Sequence, residues 1–413
     1  MVLPYFTSHC SERLYLSKSV QQLKDDKANV VGDGGFAFTS KIIIKKGKLE
    51  GNLIEIEDEL NDERTTIALK VIEKNQDNYE EKELEKEYHL QSILAADKYE
   101  RHTPDLYFCG KLYDQGTEYY VIGMELGEKD LFTKLIDEDQ CSSLTYRQKF
   151  DLMYQMANTI YDAHSANMCH CDLKLENFLV TNNDTIKLID FGWATYDGDN
   201  CIGGTKATIS PEVAVKFDMF YETDVWRFKP DIYSLGIIFA EVMLDCLVNT
   251  GGFNKQILFN NNTGYKDIQE FIDIAIEEYM PEKEFLNENP IVHQEKVHMR
   301  VYLLKRFKKL ILSMVEINFT KRPGIYEVVT KLRIFRTVTS EILSNDQVSY
   351  IKMIERFTEL SKLFGMDFGE NKPQKLKEVL PAVEDESAVL NKQILNKGIE
   401  NHRRKTPNKS IFL

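Results

Sequence analysis

Eight consecutive residues, His170-Cys171-Asp172-Leu173-Lys174-Leu175-Glu176-Asn177, set an Asp, a Lys two positions on and an Asn five positions on. Thirteen residues after that Asn comes Asp190-Phe191-Gly192. A carboxylate such as Asp172 can accept or orient the proton of a hydroxyl nucleophile. The Lys174 ammonium can neutralise charge on a transferring phosphoryl group. Asn177 and Asp190 offer hard oxygen ligands, the kind Mg2+ takes alongside phosphates. Any one of these alone reads as an ordinary loop polar group. Four compatible roles within the 21 residues from 170 to 190 point to one chemistry, phosphoryl transfer from ATP.

That chemistry also needs a cover for the phosphates and a cation for their charge. Val30-Val31-Gly32-Asp33-Gly34-Gly35-Phe36-Ala37-Phe38 reads as a strand running into a glycine turn. Gly32, Gly34 and Gly35 let backbone N–H groups approach phosphate oxygens with no Cβ in the way. By itself such a cluster reads simply as a turn. Lys70 lies in the β-type run Ile67-Ala68-Leu69-Lys70-Val71-Ile72, where alternate residues share a face. A carboxylate should hold it. Glu87, on the helix that follows, is the best candidate, and Glu83 one turn away would face the same side, so the pairing stays open.

These residues need elements to position them. Residues 1–27 read as a polar lead-in without a strong period, and 29–44 as strand, glycine turn and strand. The acidic stretch 49–63 fits a strand or an exposed extended loop equally well. Strands are expected at 66–72, 106–109 and 119–124, with one charged helix over 79–96. Thereafter the pattern turns helical. Met153, Met156, Ala157, Ile160 and His164 share one helical face, 232–244 is apolar nearly all round, and 301–317 and 324–336 read as helices. Val348, Ile351, Ile354, Phe357, Leu360 and Phe364 make a further amphipathic helix before a mostly disordered polar tail; it reads first as a spacer, with docking on the large lobe, a partner or the substrate groove left open.

Composition excludes several classes. With 43% hydrophobic and 29% charged residues, the chain has the mixture of a soluble globular protein. No apolar run approaches the ~18 residues of a membrane helix, so no membrane insertion is expected. The N-terminus lacks the order of a signal peptide, which makes an intracellular, cytoplasmic setting the expectation, with the nucleus also open. The net charge of −14 argues against nucleic acid as a partner. Among seven cysteines only Cys169-His170-Cys171 is tight. With no second pair at zinc spacing, the expectation is reduced thiols.

On these motifs the chain resembles the eukaryotic protein kinases of the serine/threonine type, over about residues 28 to 336. The resemblance implies an α+β, bilobal protein-kinase-like fold: a strand-rich N-lobe (28–125) with one main helix and a helical C-lobe (126–336). The lead-in 1–27 and the C-terminal segment 337–413 flank it, and the latter is open to a regulatory partner. Lys70 would bind the α- and β-phosphates, Asp172 would be the catalytic base, and Asn177 and Asp190 would hold the metals. Val31 joins the three glycines in the phosphate cover. Met124 would be the gatekeeper, the backbone at Glu125 and Leu126 would meet the adenine edge, and Asp130 the ribose. Ser210-Pro211-Glu212 matches the family's Ala-Pro-Glu, with Arg322 pairing Glu212 and Asp231 anchoring the catalytic loop. Lys174 is similar to the pattern of enzymes whose protein substrates carry a serine or threonine acceptor, and Thr205 matches the threonine that in those enzymes contacts the catalytic Asp and Lys, here Asp172 and Lys174.

The departures are specific. Ala37 replaces the third loop glycine and Thr39 the valine over the adenine, while Thr208 stands where a tyrosine is usual. Cys171 replaces the arginine that pairs with a phosphorylated activation loop, and a cysteine cannot supply that charge. Activation-loop phosphorylation is therefore not expected to be the on-switch. Two other classes compete with an active protein kinase. A pseudokinase, a nucleotide-binding scaffold or regulatory module, is favoured by the altered glycine loop and Cys171 but opposed by the four competent residues. A small-molecule kinase is opposed by Ser210-Pro211-Glu212 with Arg322.

Overall fold

The computed structural model describes residues 5–8, 13–15, 18–33, 37–45, 64–74, 81–95, 102–181, 183–196, 201, 203–216, 228–244, 290–343 and 350–366. Gly34 and Gly35, the acidic stretch 49–63 and the tail beyond 366 lie outside the described residues.

Runs of β-branched and aromatic residues build the first lobe. Its strands are β1 (Tyr5–Ser8), β2 (Arg13–Tyr15), β3 (Val30–Asp33), β4 (Ala37–Lys45), β5 (Arg64–Glu73), β6 (Leu106–Asp114) and β7 (Thr117–Glu125). They form one seven-stranded antiparallel sheet in the order β2-β1-β6-β7-β5-β4-β3. Period-two alternation divides β5 between two cores. Ile67, Leu69 and Val71 pack with Phe38, Ile42 and Val121 beneath the short helix α1 (Val20–Asp25). Ala68 and Ile72 pack with Ile122, Met124 and Leu84 on the face covered by helix α2 (Glu81–Ala95). Lys70, between Ala68 and Ile72 in this alternation, shares the α2 face.

The lead-in assigned to 1–27 is corrected here. β1 pairs with β6, and α1 starts at a capping box made by Ser19 and Gln22, with the Val20 N–H donating to Asp114 at 2.7 Å. Strands of four and three residues carry too few positions to show a period, and their stability comes from joining an existing sheet edge.

Past β7 the chain crosses through Lys129–Asp130 (β8) into the second lobe. Its first long helix, α3 (Tyr146–Ser165), is opened by a Thr145–Gln148 capping box and buries Met153, Met156, Ala157 and Ile160. Short strands β9 (Met168–Cys169), β10 (Phe178–Val180), β11 (Ile186–Leu188) and β12 (Thr195–Tyr196) carry the loops of interest, β10 lying between β11 and β8. Among the described residues, helices α4 (Pro211–Lys216), α5 (Lys229–Met243), α6 (Pro290–Met314) and α7 (Ile325–Leu343) follow in the same lobe. α5 is buried almost throughout, as a helix apolar on all sides must be. Gly236 lets it approach α6, since a Cβ there would lie 2.8 Å from that of Met314. Phe150, Phe307 and Phe335 join α3, α6 and α7, with centroids 5.1 to 5.5 Å apart.

The helix expected over 324–336 is longer, since α7 runs on to Leu343. The next helix, α8 (Tyr350–Leu363), is docked on the large lobe and is no free spacer. Met353, Ile354, Phe357 and Leu360 are buried, and the Phe357 ring lies 5.4 Å from Phe335 and 5.7 Å from Tyr302. Amphipathicity showed that this helix has a face to bury, and only packing showed against what. The molecule is α+β and bilobal, with a sheet lobe and a helical lobe joined near Glu125.

Candidate active site

Strand alternation sends Lys70 toward α2, where its Nζ lies 2.6 Å from Glu87 Oε1 and 2.9 Å from Asp190 Oδ1. Glu87 is the partner the sequence left open against Glu83, whose side chain lies outside the described residues. Burial disfavours the charge on Lys70, but Asp190 and Glu87 outweigh it and raise its pKa. Lys70, followed by burial working the other way, brings Asp190 down to about 2. Asp190 itself has φ +66, a left-handed backbone that few non-glycine residues adopt. Such a conformation persists where its surroundings over-determine it.

The loop that carries Asp172 hangs from α5. Buried Asp231 accepts the backbone N–H of His170 at 2.8 Å and of Cys171 at 2.9 Å, and its Oδ2 meets His164 Nε2 at 3.0 Å. Cys171 is thereby held at φ +67. His170 Nε2 donates to the Ile189 carbonyl at 3.0 Å, joining this loop to the segment that carries Asp190. Asp172 Oδ1 receives both the N–H and the Oγ1 of Thr205 at 2.7 Å. Its Oδ2 lies 3.0 Å from Lys174 Nζ, which also reaches Thr205 Oγ1 at 3.3 Å. Asn177 donates through Nδ2 to the Asp172 carbonyl at 2.7 Å.

Beyond Thr205 the chain is pinned by Arg322. Its Nη1 and Nη2 meet the two oxygens of Glu212 at 2.6 and 2.8 Å, and Nε donates to the Glu316 carbonyl at 2.7 Å. The guanidinium also stacks over the Tyr233 ring, 4.9 Å from its centroid. Residues 51–332, about two-thirds of the chain, match the family model of the protein kinase domain. The chain belongs to the protein kinase family. Its curated relatives include an Aurora kinase of Yarrowia lipolytica, 32% identical over 185 residues, which are 43% of this chain and 44% of that protein. An Aurora kinase of Dictyostelium discoideum is 29% identical over 199 residues, 47% of each chain. The smooth-muscle myosin light chain kinase of Gallus gallus is 27% identical over 197 residues, 45% of this chain and 10% of its own. Each match spans less than half of the relative's length.

Other residues singled out in this kinase sequence have varied surroundings. Gly32 pairs opposite Thr39 in the β3–β4 hairpin, and Val31 is exposed at 49%. Met124 is buried, with Leu126 packed beside it. The Glu125 N–H donates to the Asp105 carbonyl at 2.8 Å, and its side chain meets Lys187 at 2.5 Å. Both oxygens of Asp130 accept from Thr133, at 2.8 Å each, so this carboxylate closes the turn that follows β8.

The expectation of reduced thiols is overturned at one pair, since Cys171 and Cys201 are joined by a disulfide. Sequence reasoning missed Cys201 because it lies 30 residues away, in a segment that the fold returns over the catalytic loop. Gly204 permits that return. Its φ is +142, and a Cβ there would sit 2.6 Å from the Cys171 carbonyl oxygen.

Asp231 yields a pH-dependent expectation. Burial raises its pKa, but the His164 hydrogen bond and the charges of His164 and His170 bring the net shift below the ordinary value. A lowered folded-state pKa contributes stability that is full above about pH 4 and is lost as pH falls below it. Asp231→Asn turns an acceptor into a donor facing two backbone N–H groups. It should destabilise by about 2–4 kcal/mol near neutral pH, with the difference from the natural chain shrinking below about pH 4. Urea unfolding at pH 7 and pH 3 measures both, and an equal gap at the two pH values would contradict the assignment.

Proposed function

We propose that this chain is an ATP-dependent kinase that transfers the γ-phosphate to serine or threonine hydroxyls of protein substrates. The observation that carries this reading is Asp172, whose carboxylate faces Thr205 on one side and Lys174 on the other. A hydroxyl entering there is oriented by Asp172 and releases its proton toward it as the new O–P bond forms. Lys174 offsets the charge developing on the phosphoryl oxygens while the bond to ADP breaks. Lys70, held by Glu87, meets the α- and β-phosphates. Val31, Gly32, Gly34 and Gly35 cover them, the backbone at Glu125 and Leu126 takes the adenine, and Asp130 contacts the ribose through oxygens shared with Thr133.

The donor set suits Mg2+. Asp190 stays ionised well below neutral pH, and Asn177 directs its amide nitrogen at Asp172, which leaves its carbonyl oxygen as a ligand. Bound Mg2+ would neutralise phosphate charge, held by Asn177 and Asp190. ATP as donor implies an intracellular, cytoplasmic or nuclear setting. No described helix is long and apolar enough to cross a membrane. A regulatory partner of 337–413 would engage surfaces other than the apolar face of α8, which is already packed.

Transfer of label from ATP with Mg2+ to a generic protein substrate tests the proposal, with Asp172→Asn as the blank. Phosphoserine and phosphothreonine in the product would support it. Labelling no higher than the blank would favour a nucleotide-binding scaffold, and phosphotyrosine alone would overturn the acceptor class.

A further inference from the structure

A covalent bond stands where related kinases use charge. Cys171 and Cys201 are disulfide-bonded with their Cα atoms 5.5 Å apart. Cys171 immediately precedes Asp172, and Cys201 lies four residues before Thr205, which holds Asp172. The bond therefore closes a ring over residues 171–201 that contains Asp172, Lys174, Asn177 and Asp190. Both ends of the catalytic constellation are tied at its base.

We infer that Cys171–Cys201 is a reversible redox link that holds the activation segment in its catalytic position, so that its reduction lowers kinase activity. The inference rests on the proposed kinase activity and concerns its control. Intracellular disulfides are in general transient and redox-sensing. The link also supplies what the missing arginine cannot, a tie between catalytic loop and activation segment that needs no phosphate. Its surroundings are apolar, formed by Ile209 and Val213 with Phe228 and Phe319 beside them. Reduced thiols there would make only weak contacts, such as that of Cys171 Sγ with Thr195 Oγ1 at 3.5 Å. Gly204, pressed against the Cys171 carbonyl, would then lose the constraint that keeps it close.

A third sulfur, Cys169, lies 3.5 Å from Cys201, and the three sulfurs fall within 4.8 Å of one another. Burial, followed by the charge of Asp231, raises the Cys169 pKa well above its ordinary value. It stays a thiol, a poor nucleophile and a poor metal ligand. Cys171 is the most exposed of the three residues, at 8%, and is taken as the peroxide-reactive one.

The chemistry balances with named co-reactants. The Cys171 thiolate attacks a peroxide oxygen, the O–O bond breaks, and a sulfenic acid forms as hydroxide leaves. Cys201 then attacks that sulfur, the S–S bond forms, and the sulfenic oxygen departs as water. Two thiols lose two electrons, and hydrogen peroxide becomes two waters. In reverse, a dithiol of the thioredoxin class attacks Cys171, releases Cys201 and closes its own disulfide.

The full chain treated with hydrogen peroxide, then freed of it, should transfer phosphate at least about fivefold faster than the same chain reduced with dithiothreitol. Cys201→Ser should match the reduced chain in both conditions. Peptide mass spectrometry should find the 171–201 link in the oxidised sample alone, and amide exchange across 203–216 should quicken on reduction. Equal rates and equal exchange in both states would overturn the inference, as would absence of the linked peptide. Stoichiometric Zn2+ held by the reduced chain and lost in Cys201→Ser would also overturn it, in favour of a metal site. If no sample transfers phosphate while exchange still follows the link, the kinase reading alone has failed.

Discussion

Asp172→Asn should lower kcat by about 10^2- to 10^4-fold, the range that a positioned general base contributes, with KM for ATP little changed. The carboxylate does two things at once. Its Oδ1 takes both donors of Thr205, and its Oδ2 lies 3.0 Å from Lys174. An amide keeps the shape but replaces one acceptor oxygen with a donor nitrogen. Pointed at Thr205 it would meet two hydrogen donors, and pointed at Lys174 it would meet an ammonium. In either orientation it cannot take the substrate proton. Because the role proposed for Asp172 is contact with the reacting hydroxyl and not with the nucleotide, the loss should fall on kcat. Steady-state kinetics with ATP varied separates the two parameters, and a change confined to KM would assign Asp172 to nucleotide binding. Thr205→Val should have a smaller effect, and the double variant should be less than additive, because both changes disturb one network.

Arg322→Ala should destabilise the fold by about 3–5 kcal/mol, the usual consequence of removing one member of a buried ion pair. The Arg322 side chain has 0% exposure, and its partner Glu212 has 7%. Removal would strand the Glu212 carboxylate and uncap the carbonyls of Glu316 and Lys229, which accept from the guanidinium at 2.7 and 3.0 Å. It would also remove the stacking on Tyr233. The expected fall in Tm is roughly 5–15 °C for a domain of this size. Calorimetry of Arg322→Ala, Glu212→Gln and the double variant tests the cause. If the stranded carboxylate dominates, the double variant should be more stable than Arg322→Ala alone. A double variant that simply sums the two losses would place the effect in the carbonyl contacts instead.

Much of the scaffold was legible because it is local. Strand alternation around Lys70 and the helical stripe of α3 follow from backbone period, and the buried α5 from an apolar run too short for a membrane. Where the structure departs from the sequence reading, the deciding contacts are distant in the chain. β1 and β2 are too short to show a period and exist because β6 offers an edge. α8 docks because Phe335 and Tyr302 present a surface for Phe357.

By itself the sequence determined the residue types, their order along the chain and the chemistry they could do: Lys70, Asp172, Lys174, Asn177 and Asp190, with a cysteine where a cation is usual. Those follow from functional groups and short spacings, which hold in any fold. Tertiary structure decided for Glu87 over the open choice with Glu83, brought Thr205 to Asp172 as the kinase resemblance implies, and joined Cys201 to Cys171. The partners in these three pairs are separated by 17, 33 and 30 residues. Over such separations chain spacing no longer sets distance, and packing of the lobes and the turn at Gly204 do.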